Sequence, residues 1–302
     1  MSNVAKLPRK SRLKKGELRT ALLFAAPAMI PMLVFWIYPI IRSLMISFTD
    51  WDYINPYNIV WFENYASIFD RTAFTKALTV TLLFAVYTVI PSMVIGLALA
   101  MVFQKRFRGR GVYRALLFSP WVTPTVAISI VWVWLFNVDN GLLNRILSTV
   151  GLPTSKWLSS RDTSLMSVSI VTVWKSLGYT MIFYASALEK VPLQLYEAAS
   201  IDGANGWQKF KTITFPGISP TTFFLSVMMM ISSLQAYDQI QILTQGGPAG
   251  STRTLLYLYY QYAFEKYNMG EATAVAAVLM FLTIGLSILQ FAGSKKWVNY
   301  EN

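Results

Sequence analysis

The chain has 302 residues, of which 55% are hydrophobic and 13% are charged. This composition is too apolar for an ordinary soluble domain and indicates a membrane protein with several spans. The sequence contains no cysteine and no histidine, which excludes disulfides, Cys/His metal sites and histidine-dependent catalytic triads. It also lacks a phosphate-binding loop of the GxxxxGKS or GxxxxGKT type, so ATP binding by that route is excluded. We expect neither an enzyme nor a resident cofactor or metal ion.

Six apolar segments are long enough to cross a hydrocarbon core of about 30 Å. They predict transmembrane helices at residues 20–47, 74–103, 112–136, 164–187, 218–243 and 271–292. The first segment is much longer than the apolar part of a signal peptide, which favours a retained membrane anchor. Prolines within the first and third segments predict kinked, closely packed helices. The expected fold class is all-α, a polytopic membrane protein with six transmembrane helices.

The basic residues lie mainly on one side of this predicted bundle. With the amino terminus inside, 17 of the 26 Lys and Arg residues, but 5 of the 14 Asp and Glu residues, fall in the segments 1–19, 104–114, 188–217 and 293–302. The whole net charge of +12 therefore lies on that side, as the positive-inside rule requires for the cytoplasmic face. We expect both termini in the cytoplasm. Because the basic residues flank apolar spans, we expect them to contact membrane lipid and not nucleic acid.

The polar stretch EAASIDGANGWQKFKTITFP lies between the fourth and fifth apolar segments, at residues 197–216. Pro192 suits the first turn of a helix, and Ala198 and Ala199 favour the helical conformation. Gly203 is a natural helix stop. These residues predict one short helix, whose two alanines give a low surface that another protein can approach closely.

A second short helix is predicted directly after the first. Trp207, Phe210 and Ile213 recur every three residues, and Pro216 is expected to end the pattern. Each helix would have about 10 residues, or about 15 Å, and would be too short to cross a membrane. Both are therefore expected on a membrane face, with the Glu197 carboxylate available to a cationic partner. An ordinary amphipathic interfacial loop is the alternative interpretation.

The stretch resembles the EAA loop of the membrane subunits of bacterial ABC importers through Glu197, Ala198, Ala199, Gly203, Ile213, Phe215 and Pro216. The family usually has Leu at the position of Phe215, and an aromatic side chain there preserves an apolar contact. The resemblance implies two coupling helices that dock into a cleft on an ATPase subunit. It implies ATPase-coupling roles for Glu197, Ala198, Ala199, Gly203, Ile213 and Pro216.

A second resemblance narrows the family. WKSLGYTMIFYASAL at residues 174–188 and YDQIQILTQGGPAGSTRTLLYLYYQYAF at residues 237–264 are similar to the carbohydrate-uptake, maltose-permease-like branch of these subunits. The branch implies a second homologous permease subunit, two ATPase subunits that bind ATP and Mg, and a sugar-binding protein outside. It also implies a location in the bacterial inner membrane.

The predicted outer loops contain candidate docking elements. Gly246, Gly247 and Pro248 force a turn, and we expect this turn to contribute to docking of the binding protein. The Tyr-rich run after it is expected to form a short surface helix. Residues 48–73 and 137–163 carry aromatic and acidic residues suited to the same docking, although such aromatics also form simple interfacial belts.

The resulting domain organisation has four parts. A basic cytoplasmic arm, the first transmembrane helix with its outer loop, a permease core with five transmembrane helices, and a cytoplasmic tail are expected at residues 1–19, 20–73, 74–292 and 293–302. The EAA coupling loop, residues 188–217, lies within the core.

Polar residues inside predicted spans are candidates for a substrate path, because a charge in lipid is costly. Lys175 and Asp238 are the clearest, and an ion pair between them is one possibility. Aromatic faces and hydrogen-bonding groups surround them, a mixture suited to a sugar. The candidate path residues are Trp174, Lys175, Tyr179, Gln235, Tyr237 and Asp238. Packing and hydrogen bonding between spans is the alternative interpretation for each.

Together these features predict the transmembrane subunit of an ATP-driven sugar or oligosaccharide importer that works by alternating access. The same type of permease for a polyamine or an amino acid is an alternative. A self-sufficient secondary transporter is a further alternative, but it calls for internal repeats and ion-coupling carboxylates.

Overall fold

The structure, a computed structural model, describes residues 15–104 and 107–299. Residues 1–14 of the predicted basic arm and residues 300–302 of the predicted tail therefore lie outside the described residues. The α-helices are α1 (Lys15–Met32), α2 (Tyr38–Ile46), α3 (Glu63–Asp70), α4 (Thr72–Val102), α5 (Arg110–Val122), α6 (Thr125–Leu135), α7 (Leu142–Thr149), α8 (Arg161–Leu188), α9 (Leu193–Ile201), α10 (Gly206–Lys209), α11 (Phe215–Leu234), α12 (Asp238–Leu243), α13 (Leu255–Tyr260) and α14 (Met269–Ser294). Shorter π-helical segments are Leu33–Ile37, Phe210–Thr214 and Gln261–Glu265, and Trp157–Ser159 is a 3-10 turn.

Five helical segments in the described part of the chain are long and apolar enough to cross a membrane: Thr20–Ile46, Thr72–Val102, Arg161–Leu188, Gly206–Leu234 and Met269–Ser294. A sixth span consists of α5 and α6, which meet at a bend of 99°. The all-α, six-span prediction is therefore confirmed when the bent pair counts as one span.

The third span is broken inside the segment predicted over 112–136. Thr123 is extended, with ψ at 137°, which is the conformation that a following proline favours. Pro124 itself has no N–H for the helical ladder. The proline-dependent kink predicted for the third segment is therefore present, as a full break between α5 and α6.

The fifth span begins and ends earlier than predicted. Pro216 lies in the first turn of α11, where its missing N–H costs little, so it does not end the preceding helical pattern. The helix stops at Leu234, and Thr254 Oγ1 donates to the carbonyl of Ala236 in the break, at 3.0 Å. Residues 238–243 then form the separate helix α12, and the predicted extension to residue 243 is wrong.

The helix ends lie on two faces of the molecule. The α9 face comprises the described parts of segments 103–110, 189–214 and 295–299, and the opposite face comprises segments 47–71, 136–160 and 235–268. On the α9 face, Arg110 Nη2 lies 3.1 Å from Glu189 Oε1. On the opposite face, the Met269 N–H donates to the Trp51 carbonyl at 2.9 Å. The chain order and these contacts thus assign each loop to one face.

Helix α8 packs directly against α4 and α5 because small residues lie at both contacts. A β-carbon at Gly96 of α4 would lie 2.1 Å from Thr180 Oγ1 of α8, and one at Gly178 of α8 would lie 2.1 Å from the Leu117 carbonyl oxygen of α5. Thr180 Oγ1 also donates to the Ser92 carbonyl across the α4–α8 contact, at 3.0 Å. Close backbone approach and hydroxyl bonding of this kind stabilise helix pairs in lipid.

An ion pair between the exposed Arg71 and the buried Glu271 fixes the start of α14 on the opposite face. Both terminal nitrogens of Arg71 donate to the carboxylate of Glu271, each at 2.6 Å. Ser67 Oγ donates to the same carboxylate at 2.8 Å, and Glu271 is only 6% exposed. A bidentate pair of this kind holds a defined geometry, so α14 is tied to the connection between α3 and α4.

We expect Gly178→Ala to lower the free energy of unfolding by about 1 to 3 kcal/mol, because the added methyl group would overlap the α5 backbone. Gly285→Ala in α14 is the matched control, because no atom lies within 4 Å of its added β-carbon. Thermal unfolding of the purified protein in detergent measures the difference. Equal melting temperatures for Gly178→Ala and the wild type would contradict the close α5–α8 contact.

Candidate coupling surface and intramembrane cavity

Helix α9 ends at the predicted glycine. Gly203 has φ at +77°, and its N–H donates to the Ser200 carbonyl at 3.2 Å. The Ala204 N–H donates to the Ala199 carbonyl at 2.9 Å, which completes a Schellman motif. A residue with a β-carbon is strained at this φ. The predicted stop at Gly203 is confirmed, and the chain turns there toward α10.

Hydrogen bonds join α9, α10 and the following π-helical segment into one unit. Asn205 and Gln208 form a capping box, in which the Gln208 N–H donates to Asn205 Oδ1 at 2.9 Å and the Asn205 N–H donates to Gln208 Oε1 at 2.7 Å. The Tyr196 hydroxyl lies 2.9 Å from Thr214 Oγ1. Since α10 continues through the π-helical segment into α11, a displacement of this unit also displaces α11.

Five exposed residues of this unit make up what we call the coupling surface: Leu193, Glu197, Ala198, Ile201 and Trp207. Ile201 is 87% exposed and Trp207 is 70% exposed. Large apolar side chains grouped with such exposure mark a surface that contacts a partner or a membrane. Of the other predicted coupling residues, Gly203 is exposed, whereas Ala199, Ile213 and Pro216 are half-buried against the body of the protein.

The carboxyl-terminal segment packs against the base of α11, a contact that sequence reasoning missed. The Trp297 ring stacks near Phe215, with centroids 6.1 Å apart, and packs edge-on near Phe223, at 6.3 Å. The Asn299 N–H donates to Ser219 Oγ at 2.9 Å. The tryptophan in the tail could have predicted this contact, because its large apolar ring favours burial. The base of the α10–α11 helix is thus held from two sides.

A cavity of about 170 Å³ lies among α5, α6, α8, α11 and α12. Its hydrogen-bonding lining consists of Trp121, Thr125, Thr172, Lys175, Ser176, Ser232, Ser233 and Gln239. Lys175 is the one charged residue among these, and its Nζ donates to Thr125 Oγ1 at 2.5 Å. The hydroxyls were missed from the sequence, because single Ser and Thr residues in a span also bond their own helix.

Two further predicted path residues of α8 lie around this cavity without lining it. Tyr179 stacks on Trp121, with ring centroids 4.2 Å apart, so it supports one wall. Trp174 lies instead in a separate groove of about 390 Å³ between α5, α6 and α8. Of the six predicted path residues, only Lys175 lines the cavity itself.

The remaining predicted path residues lie at the break between α11 and α12. Gln235 and Asp238 are exposed, and the Tyr237 ring packs against Tyr260 with centroids 5.1 Å apart. Within the described residues, ion pairs closer than 4.0 Å join only Arg71–Glu271, Arg110–Glu189 and Arg114–Glu189. The possible Lys175–Asp238 ion pair is therefore not formed. Helix α11 stops before Asp238, and Asp238 is exposed at the surface.

The predicted glycine-rich turn lies at a second cavity, on the opposite face. The Gly247 N–H donates to the Thr244 carbonyl at 2.9 Å, and Thr252 Oγ1 donates to the Gly247 carbonyl at 2.8 Å. Gly246 has φ at +76°, and a β-carbon there would lie 2.7 Å from the Tyr257 ring. The cavity has about 550 Å³ and is lined by Gly247 and Pro248 together with loop residues 136–139. A docking role for this turn remains a prediction.

The Tyr-rich run after this turn is not a surface helix. Tyr257 is 2% exposed and Tyr262 is 1% exposed. The Leu255 N–H donates to Thr81 Oγ1 of α4 at 2.8 Å, and Leu258 packs in the same core between α4 and α14. The expectation of a surface helix is wrong because the aliphatic residues between the tyrosines turn the segment into the core.

Two acidic residues of the first loop on the opposite face accept hydrogen bonds from asparagines of the same loop. The amide nitrogens of Asn58 donate to the Asp50 carboxylate at 2.6 and 3.0 Å, and the side-chain bond in particular lowers the pKa of Asp50. The backbone N–H of Asn55 does the same for Asp52, whose pKa is also lowered. Hydrogen bonds to the charged form stabilise it, so this exposed loop presents two negative charges.

Comparisons with known proteins agree with this architecture. Residues 92–293 match the family described as binding-protein-dependent transport system inner membrane component. The chain is 33% identical over 280 residues to the sn-glycerol-3-phosphate transport system permease protein UgpA of Agrobacterium fabrum, covering 92% of this chain and 95% of that protein. It is 31% identical over 283 residues to the trehalose/maltose transport system permease protein MalF of Thermococcus litoralis, with coverage of 92% and 95%.

A solved structure shows the same fold. It is the crystal structure of a bacterial alginate ABC transporter in complex with an alginate pentasaccharide-bound periplasmic protein, and one of its chains matches with a TM-score of 0.81. The match has 23% sequence identity and covers 95% of this chain and 98% of that chain. The family match and these relatives identify a multi-pass permease subunit of the inner membrane, and the solved structure shows the same fold. The chain belongs to the family of inner membrane components of binding-protein-dependent transport systems.

We expect Trp297→Ala to loosen the base of α11, because an aromatic pair contributes about 0.5 to 1.5 kcal/mol beyond its buried area. Hydrogen exchange measured by mass spectrometry over residues 215–223 should become faster in this variant. Trp297→Phe, which keeps an aromatic ring, and Val298→Ala, at the adjacent half-buried residue, are the controls. Unchanged exchange in Trp297→Ala would show that the tail does not support α11.

Proposed function

We propose that this chain is the transmembrane subunit of an ATP-driven importer that passes a sugar or a related polyol from an extracytoplasmic binding protein to the cytoplasm. The exposed EAA pattern on a helical unit continuous with α11 carries this proposal. Relatives named for trehalose/maltose and sn-glycerol-3-phosphate transport support the substrate class. They favour it over a polyamine or an amino acid, and over a self-sufficient secondary transporter.

The partner subunits follow from what this chain lacks and exposes. Its sequence has no phosphate-binding loop, so two separate ATPase subunits would bind ATP and Mg and dock on the coupling surface. A second, homologous permease subunit would complete the transport path, and the binding protein would dock at the opposite face near Gly246, Gly247 and Pro248. Membrane lipid surrounds the spans, and nucleic acid has no role. This assignment places the α9 face and both termini in the cytoplasm, in agreement with the one-sided basic charge.

The geometry supplies a lever for alternating access. From Gly206 to Leu234 the chain is one helical span of 29 residues, which at 1.5 Å per residue is about 44 Å long. Its α10 end lies beside the coupling surface, and its far part carries Ser232 and Ser233 of the intramembrane cavity. Closure of the ATPase subunits would therefore move a wall of that cavity. Only contacts that differ between the two states can drive such a switch.

We expect Glu197→Ala to weaken docking of the ATPase subunits, because a charge-assisted contact contributes about 1.5 to 3 kcal/mol and its loss leaves a cation unpaired. Gln194→Ala, at an exposed residue one turn earlier on α9, is the matched control. The measurements are co-purification with the ATPase and substrate-stimulated ATP hydrolysis in liposomes. Normal docking and full stimulation in Glu197→Ala would contradict the coupling role of Glu197.

Gly203→Ala tests the turn within the same unit. At φ +77° an added β-carbon costs about 1 to 2 kcal/mol, which would tilt α10 relative to α9 and reduce coupling. Gly206→Ala is the matched control, because no atom lies within 4 Å of its added β-carbon and its φ is ordinary. Gly203→Ala should lower substrate-stimulated hydrolysis at normal membrane insertion, whereas Gly206→Ala should not. Equal stimulation in both variants would contradict the coupling role of the turn.

The proposed orientation can be tested by labelling, because the native chain has no cysteine. A thiol reagent that does not cross membranes should modify Asn140→Cys from outside intact cells, but not Gln104→Cys. Both residues are exposed and lie on different faces, and permeabilised cells give the control for reactivity. Labelling of Gln104→Cys in intact cells would reverse the topology and remove the coupling assignment.

A further inference from the structure

The intramembrane cavity holds a cation, Lys175, that forms no ion pair closer than 4.0 Å in the described part of the chain. Lys175 is half-buried near the middle of α8. The hydrogen bond from its Nζ goes to a neutral hydroxyl, Thr125 Oγ1, and no carboxylate lies within 4.0 Å. An ammonium group has three N–H donors, so donors remain available to a ligand. Charges at this depth are costly and usually pair or face a transport path.

A helix end adds positive potential to the same cavity. The third span breaks at Pro124, and α6 begins at Thr125 with eleven residues after a 99° bend. The first backbone hydrogen bond of α6 runs from the Ile128 N–H to the Pro124 carbonyl. The backbone N–H groups of the α6 residues that precede Ile128 therefore have no partner within the helix. The amino end of a helix attracts anions. The carboxyl end of α5 meets the same break with the opposite dipole, so Lys175 is the main positive group at this cavity.

The rest of the lining suits an anion attached to a hydroxylated body. Thr172, Ser176, Ser232 and Ser233 provide hydroxyls, and Gln239 provides an amide. The Thr172 and Ser176 hydroxyls donate to carbonyls of α8, and the Ser233 hydroxyl pairs with Thr88 Oγ1, so these three remain acceptors for sugar hydroxyls. Ser232 and Gln239 can donate to anion oxygens. The Trp121 ring, stacked on Tyr179, offers a flat face for C–H groups. A cavity built for a neutral sugar alone would not require the cost of an unpaired ammonium group.

We propose that the transported molecule carries an anionic group, a carboxylate or a phosphate ester, and that Lys175 binds this group during passage through the membrane. The inference rests on the proposed import of a sugar or polyol and specifies its chemical class. Thr125 positions the ammonium group toward the cavity.

The experiment uses the full transporter, with its partner subunits and binding protein, in liposomes that contain ATP. Two matched pairs of probes are offered: an oligogalacturonate with its carboxyl-reduced counterpart, and a hexose phosphate with the free hexose. We expect the wild type to import one of the two anionic probes faster than its neutral match. Lys175→Gln should lower uptake of that anionic probe by about tenfold or more, because it removes a charge-assisted contact. The pair that responds identifies the anion as carboxylate or phosphate.

Lys175→Arg is the matched control, because it keeps the positive charge, and it should retain uptake of the anionic probe. Equal uptake of that probe by the wild type and Lys175→Gln would overturn the proposal, as would import of the neutral probes alone. Loss of subunit assembly in Lys175→Gln but not in Lys175→Arg would assign Lys175 to an ion pair with the second permease subunit and also overturn it. Import of amino acids or polyamines, with no uptake of any sugar probe, would instead overturn the proposed function itself.

Discussion

The lack of water in the hydrocarbon core constrains every helix of this protein, because each backbone N–H and carbonyl must find a partner there. Long helices meet the requirement along their length. Where the chain breaks, threonine side chains add hydrogen bonds to backbone carbonyls: Thr123 Oγ1 donates to the Ser119 carbonyl at 2.8 Å, and Thr254 Oγ1 donates to the Ala236 carbonyl at 3.0 Å. The two breaks lie beside the intramembrane cavity, where non-helical backbone is tolerated because it faces protein or a polar path.

The same constraint explains how the surface and the cavity are connected. Because α10, the π-helical segment and α11 form one continuous helical span, they connect the α9 face to the cavity wall. Tyr196 and Thr214 fix α9 to it, and Trp297 packs against its base. A displacement of the coupling surface can therefore be passed along this span to Ser232 and Ser233. The bend at Pro124, by contrast, provides a separate half-helix whose end faces the same cavity.

The opposite face is built differently, from buried polar contacts instead of a continuous lever. Arg71, Ser67 and Glu271 form a charge-assisted network, and the turn at Gly246 and Gly247 is held by threonine hydroxyls and by close contact with Tyr257. Such contacts fix geometry more than they add net stability. A face with fixed geometry suits the docking that we propose for it, whereas the α9 face carries the proposed coupling surface.

The sequence by itself determined the all-α class, the approximate spans and the helix stop at Gly203, because hydrophobic length and backbone preference are local properties. The resemblance at residues 197–216 also indicated the family, since that pattern is contiguous in the chain. Only the tertiary structure decided that Lys175 binds Thr125 and not Asp238, that Tyr257 and Tyr262 are buried, and that Trp297 supports α11. These outcomes depend on where helices break and on which residues distant in sequence come together. A one-residue change in a helix end rotates the next side chain by about 100°, which a hydrophobicity pattern does not resolve.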